Sequence, residues 1–335
     1  MGFEYVVTRL RCLHSRFIPD AEIDSVAAGR DISSIMLLLE ESVFADEVSH
    51  LKSRGRGATV AAVLRAVEEG RLTIIEKAAA LLRQWNPEAF GLIFGRMEME
   101  QIKDALRCIR TGEAVYDKRV RFLGLFDGMR WTARLGEFHT VAQFKEALAR
   151  DAHPFAAAID DKLAPVPAEA YLERFYFNTW LRKNHALAAQ CDTYFADWND
   201  IVNLHTGALI RGRGPAGGDP RQYYIHGPGR LRLSEFVRLT AMSEAEYRGN
   251  AARLLGLPQR PREGLAGFSQ GLRQAYLRKW KLGAITRPTG LYEILVFFEE
   301  LDVMTMNLKL AIGLSEMARA QTTETAGYLV RRQLG

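Results

Sequence analysis

Cysteine is scarce in this 335-residue chain: Cys12, Cys108 and Cys191 are scattered and odd in number. A secreted disulfide scaffold needs dense, even cysteines in a short chain, so a reducing compartment is the better match. No Cys-x-x-Cys pair is present to begin a zinc site. Long apolar runs are missing as well. Ile35–Leu39 and Ile294–Phe298 both end at a glutamate, whereas a bilayer-spanning helix takes about 20 apolar residues. Contact with a membrane is therefore expected only through a partner or a surface. The opening residues lack the uninterrupted apolar stretch of a signal peptide, because Glu4, Arg9 and Arg11 break it. Charge of one sign is not in large excess. The 45 basic and 40 acidic side chains leave +5, which permits an anionic partner without selecting one.

Motifs for chemistry are equally thin. No Walker-type glycine–lysine loop occurs, so nucleotide hydrolysis is not expected of this chain. The seven histidines, at 14, 50, 139, 153, 185, 205 and 226, include no pair spaced to grip zinc from one helix. Gly212-Arg-Gly-Pro-Ala-Gly217 spells a dinucleotide glycine pattern. Its approach, Ile201 to Ile210, is helical rather than a strand, and Pro215 interrupts it, so a turn-rich loop is expected. Gly267-Phe-Ser269-Gln-Gly271 reads Gly-x-Ser-x-Gly, but no strand enters it to form a nucleophile elbow, and Leu272 to Trp280 reads as helix. Glu299 and Glu300, with Asp302, beside Phe297 and Phe298 resemble a paired carboxylate site, but adjacent positions on a helix point about a quarter turn or more apart, so this pair does not converge on one atom. No catalytic, cofactor-binding or metal-binding residue is assigned, and no cofactor is expected.

What the chain does have is helical pattern. Hydrophobic residues make up 48% and charged residues 25%, a globular composition with enough length for a sizeable core. From Asp31 to Phe44, Ile32, Ile35, Met36, Leu39 and Val43 recur at three- and four-residue steps, with Asp31 as a cap. Val60, Val63, Leu64 and Val67 repeat the spacing, with Gly70 as an expected stop. Thr140–Gln143 and Ser243–Glu246 have capping-box spacing, and Pro87 and Pro167 suit helix starts. Strand signals are few; Arg119 to Leu135 carries one, that of a short hairpin or irregular loop. Three triplets share an amide–apolar–basic pattern: Gln101-Ile-Lys103, Asn203-Leu-His205 and Asn307-Leu-Lys309, spaced by 102 and 104 residues. An aromatic and then acids precede each: Phe94 and Glu98; Phe195, Asp197 and Asp200; Phe298, Glu299 and Asp302. Spacing of this kind points to a threefold internal repeat.

Basic residues cluster at Lys52, Arg54 and Arg56, at Arg211, Arg213 and Arg221, and at Arg278, Lys279 and Lys281 around Trp280. Only the last combines cations with an aromatic, as binding of nucleic acid requires. Arg54, Arg56, Arg211 and Arg213 are the candidate partner-contact residues, on charge and loop position.

Several segments together resemble the C-type subunits of the V/A-type rotary ATPases, known as d-type in the eukaryotic enzyme. Tyr5-Val-Val-Thr-Arg9-Leu-Arg11-Cys-Leu-His-Ser15-Arg16 is similar to the tyrosine and paired arginines that open that family. Phe175-Tyr-Phe-Asn-Thr-Trp180-Leu and Asp200-Ile-Val-Asn203-Leu-His-Thr-Gly-Ala-Leu-Ile-Arg211-Gly-Arg213 resemble its middle repeat, and Tyr224-Ile-His-Gly227-Pro-Gly229-Arg-Leu231 the segment that follows. Tyr292 to Glu299 and Asn307-Leu308-Lys309 resemble the final repeat. Val6 and Val7 replace a glycine-containing step of the family, and Gly313 stands where an arginine is common. The resemblance implies an all-α funnel, one chain made of three helical units (about 1–118, 119–235 and 236–335) around a pseudo-threefold axis. It implies a non-catalytic adaptor in one copy, between the central shaft (D- and F-type subunits) and the membrane proteolipid ring. Such an adaptor lies at the cytoplasmic face of a membrane and assists proton or sodium transport in a pump or synthase, without nucleic acid. A basic helical nucleic-acid-binding protein is the alternative.

Overall fold

In the computed structural model the described residues are 2–53, 59–112, 135–163, 165–183, 185–211, 218–255, 264–286 and 290–319. Among them there is no strand, and the chain is all-α. The helices of eight or more residues are α1 (Phe3–His14), α2 (Asp20–Ala27), α3 (Ile32–Glu40), α4 (Ala45–Ser53), α5 (Val60–Trp85), α6 (Pro87–Thr111), α7 (Val141–Arg150), α8 (Pro165–Phe175), α9 (Asp192–Arg211), α10 (Leu233–Thr240), α11 (Glu244–Leu255), α12 (Gly264–Thr286) and α13 (Leu291–Arg319). They fall into two compact units, Met1–Trp85 with Pro261–Gly335, and Asn86–Arg260.

The first unit is built on α13. Its sequence is apolar on nearly every side, which fits a helix surrounded by others rather than one lying on a surface. It packs against α1, α2, α5 and α12, and Leu301, Met304, Leu308 and Ala311 are fully buried. Polar ties reinforce the α5–α13 contact: Arg71 Nε donates to Asp302 Oδ1 at 2.8 Å, and Lys309 Nζ reaches Glu68 Oε2 at 3.0 Å. Asp31 caps α3 as expected, accepting from the Ser34 amide at 2.6 Å.

Helix lengths differ from expectation at two places. The periodic stretch from Asp31 to Phe44 is one helix followed by a turn, because α3 ends at Glu40 and α4 starts only at Ala45. The Ser42 hydroxyl accepts from the Phe44 amide in the turn between them. Gly70 does not stop a helix either; α5 runs through it for 26 residues. The reason is packing. A Cβ at Gly70 would lie 2.5 Å from Phe44 Cδ1, so the missing side chain makes room for a ring that is fully buried. Helix propensity alone disfavours glycine there by about 1 kcal/mol, and the tertiary contact overrides it.

In the second unit α6 is the central element, in contact with α7, α8 and the π-helical turn Tyr176–Trp180 that continues α8. Asn86 caps α6, accepting from the Glu88 and Ala89 amides at 3.0 and 3.1 Å, and Pro87 occupies the first turn, where an amide hydrogen is not needed. Gly91 and Gly95 form a flat step on α6 for Trp180. Its Nε1 donates to the Gly91 carbonyl at 2.9 Å, and a Cβ on Gly95 would fall 2.2 Å from that nitrogen. The Thr140–Gln143 capping box starts α7, and Ser243 and Glu246 cap α11 reciprocally. Most of the 119–135 segment lies outside the described residues.

Candidate functional site

The three amide–apolar–basic triplets sit on the three helices α6, α9 and α13. Three residues before each amide stand Glu98, Asp200 and Met304, all fully buried. Each of these side chains meets a non-helical segment. Glu98 Oε1 lies 3.3 Å from His153 Nε2, and His153 Nδ1 accepts from the Phe155 amide at 3.1 Å. Asp200 Oδ1 accepts from the Leu231 amide at 2.9 Å. Met304 Sδ accepts from the Ile18 amide at 3.3 Å. A proline stands in or beside each held segment: Pro154, Pro228 and Pro19.

The middle instance is the most developed. Asn199, Asp200 and Asn203 lie on one face of α9, since residues three and four apart are neighbours on a helix. Asn203 bonds both backbone groups of Ile225: Nδ2 donates to its carbonyl at 2.9 Å and Oδ1 accepts from its amide at 2.8 Å. Asn199 Nδ2 adds a second bond to the same carbonyl at 3.2 Å, and its Oδ1 accepts from Gly229 at 3.1 Å. Tyr224 closes the loop on itself through its hydroxyl and the Leu231 carbonyl, 2.6 Å apart. Gly227 and Gly229 are required by this approach. A Cβ would sit 2.5 Å from Asn199 Nδ2 in one case and 2.4 Å from Asp200 Oδ1 in the other. Burial raises the Asp200 pKa, against the lowering effect of the Leu231 and Arg230 amides. The clamp therefore holds an exposed turn, His226 to Pro228, on a buried polar floor.

A second polar feature joins α6 to α8. Arg107 grips Glu169 with two bonds of 2.7 and 2.6 Å, and Lys103 binds Glu100 at 2.8 Å and Glu173. Lys103 is 5% exposed. Burial works against its charge, yet Glu100 and Glu173 outweigh it and raise the amine's pKa. Burial raises Glu173 in turn. Arg96 continues the ladder, its guanidinium 3.3 Å from the Trp198 ring centre and bonded to the Tyr194 hydroxyl. Sequence reading missed this ladder, although the spacing of Arg96, Glu100, Lys103 and Arg107 places them along one helical face.

Of the predicted contact residues, Arg211 lies at the end of α9, where its Nη2 is 3.3 Å from Glu244 Oε2 and its guanidinium is 5.9 Å from the Tyr247 ring. Arg54, Arg56 and Arg213 lie outside the described residues, as does the Gly212–Gly217 pattern. Ser269 lies inside α12, within a continuous helix rather than at a strand-to-helix elbow. Glu300 and Asp302 engage different partners, Lys281 with His14 and Arg71 respectively. Trp280 is 1% exposed and stacked on Tyr276 at 5.7 Å, so its face is not a platform for bases. Among the described residues no cluster of three or more His, Cys, Asp or Glu could hold a metal ion. No described helix is long and apolar enough to cross a membrane. The chain matches no family model and no curated protein.

Proposed function

We propose that the protein is a non-catalytic coupling subunit of a V/A-type rotary ATPase or ATP synthase, joining the central shaft to the membrane proteolipid ring. The observation that carries this reading is the recurrence of one local device. On each of three helices, at the same register before an amide–apolar–basic triplet, a buried side chain holds a proline-bearing turn. Three helical units of one design around a pseudo-threefold axis suit a rigid adaptor, which transmits torque through stiff elements and complementary surfaces. The clamp of Asn199, Asp200 and Asn203 and the Lys103–Glu173 ladder supply stiffness of that kind, because breaking either strands buried polar groups. The sequence resemblance names the machine; the repeated device supports the architecture.

The test is direct. The purified full-length chain is mixed with the D- and F-type shaft subunits and, separately, with the detergent-solubilised ring. Stable complexes with both are the expected result, and absence of binding to either one counts against the reading.

A further inference from the structure

We propose that the first unit carries a preformed site for a small uncharged amphiphile, a mainly apolar molecule with one hydroxyl or N–H donor, and that Glu293 accepts from that donor. A cavity of about 310 Å³ lies between α1, α12 and α13. This is the lower end of the range for small-molecule pockets, about 300–1,000 Å³. Val7 and Leu10 on α1 and Ile294 and Phe297 on α13 form its floor, and all four are buried. The walls are firm, since α1 packs on α5 and α13, and α12 packs on α13. The rim faces solvent: the Arg11 side chain is 65% exposed and Ile285 is 63% exposed.

Two carboxylates line the cavity, and they differ in what they have left to bind. Both oxygens of Glu300 are taken, Oε1 by Lys281 Nζ at 2.7 Å and Oε2 by His14 Nε2 at 2.9 Å. Burial acts to raise the Glu300 pKa, but the bonds from His14 and Lys281 prevail and lower it. Glu293 uses one oxygen only. Its Oε1 accepts from Arg11 Nε at 2.6 Å, while Oε2 is buried with no hydrogen-bond partner among the described residues. A buried acceptor without a donor costs free energy, and a donor on a ligand removes that cost on binding. Water is a poor substitute, because a buried water typically makes about three hydrogen bonds and the apolar floor offers it none. Charge narrows the choice further. Arg11 and Lys281 balance Glu293 and Glu300 in formal charge. A carboxylate head brings no donor and would face Glu293, and an ammonium head would compete with Arg11. A neutral donor satisfies Oε2 and leaves both ion pairs intact, while the apolar body of the ligand leaves water for the floor.

The site is independent of the rotary reading, and its test uses the full-length chain alone. Isoleucine methyl groups are labelled and followed by NMR during titration with 1-hexanol and with its isomer methyl pentyl ether, which has an oxygen but no donor. Hexanol should shift the Ile285 and Ile294 methyls saturably and leave Ile201 and Ile210 of the second unit unmoved. It should bind about tenfold tighter than the ether, the scale of one hydrogen bond to a charged group. Hexanoate, an acceptor only, should bind more weakly than hexanol. In Glu293→Gln the one carbonyl oxygen goes to Arg11 and the amide nitrogen donates to alcohol and ether alike. The preference for hexanol should therefore fall to about twofold or less, while the ether still binds. Absence of a saturable shift at Ile294, equal affinity of wild type for alcohol and ether, tighter binding of hexanoate, or a preference that survives Glu293→Gln overturns the proposal.

Discussion

Replacing Asn203 by alanine puts the clamp on α9 under the most informative stress. The side chain makes two bonds to Ile225, at 2.9 and 2.8 Å, in a fully buried setting. Alanine removes both. The Ile225 carbonyl keeps Asn199 Nδ2 at 3.2 Å, whereas the Ile225 amide loses the partner shown for it. A buried donor left without an acceptor costs about 1–3 kcal/mol, and the bond lost at the carbonyl adds roughly 1 kcal/mol. The expected penalty is therefore about 2–4 kcal/mol, and each 1.4 kcal/mol is a factor of about ten in the opening equilibrium. Native-state hydrogen exchange at Ile225, Gly229 and Leu231 is the assay, because it reports the loop locally and does not require the whole chain to unfold in one step. Exchange should accelerate by at least about thirtyfold at Ile225, with a smaller effect at Leu231, whose amide goes to Asp200. Asn203→Asp should fare nearly as badly, since a carboxylate keeps the acceptor but turns an oxygen toward the Ile225 carbonyl. A change of less than about threefold in Asn203→Ala would refute the idea that this amide holds the loop.

Other consequences follow from the same geometry. Gly229→Ala must displace Asp200 Oδ1, 2.4 Å from the new Cβ, and should cost about 1–3 kcal/mol in urea unfolding; no loss of stability would contradict the close approach. Gly70→Ala gains helix propensity but meets the Phe44 ring at 2.5 Å, so it should lower the melting temperature rather than raise it. Lys103→Met leaves Glu173 buried opposite an apolar chain and should destabilise the second unit by about 3–5 kcal/mol, measured by denaturant titration; a neutral result would show that the ladder is dispensable. The Glu300 carboxylate is held below its ordinary pKa, so its stabilising effect is present above that range and is lost as pH falls through it. The stability difference between wild type and Glu300→Gln should thus be full at pH 7 and shrink below about pH 4.

Much of the secondary structure was legible because caps and periodicity act locally. Asp31, Thr140 and Ser243 each satisfy amides within their own first turn, Pro87 needs no amide hydrogen at the start of α6, and the helices begin where those residues stand. Gly70 misled for a tertiary reason: its partner, Phe44, is 26 residues away in sequence. The break between α3 and α4 was hidden because Val43 continues the apolar spacing through a turn. The triplets were visible as letters, but their meaning lay in the residue three positions earlier, and a glutamate, an aspartate and a methionine share no letter pattern. What they share is a buried acceptor atom, which only coordinates reveal. The two glycines of the 224–231 loop read simply as turn residues, whereas both are needed for contact with α9.

The central claim is coupling, and it is tested most directly in membranes from which this chain has been removed. ATP-driven ion uptake should be lost while ATP hydrolysis by the rotary heads continues, and adding back the purified chain should restore uptake. Undiminished ATP-driven uptake in its absence would contradict the account.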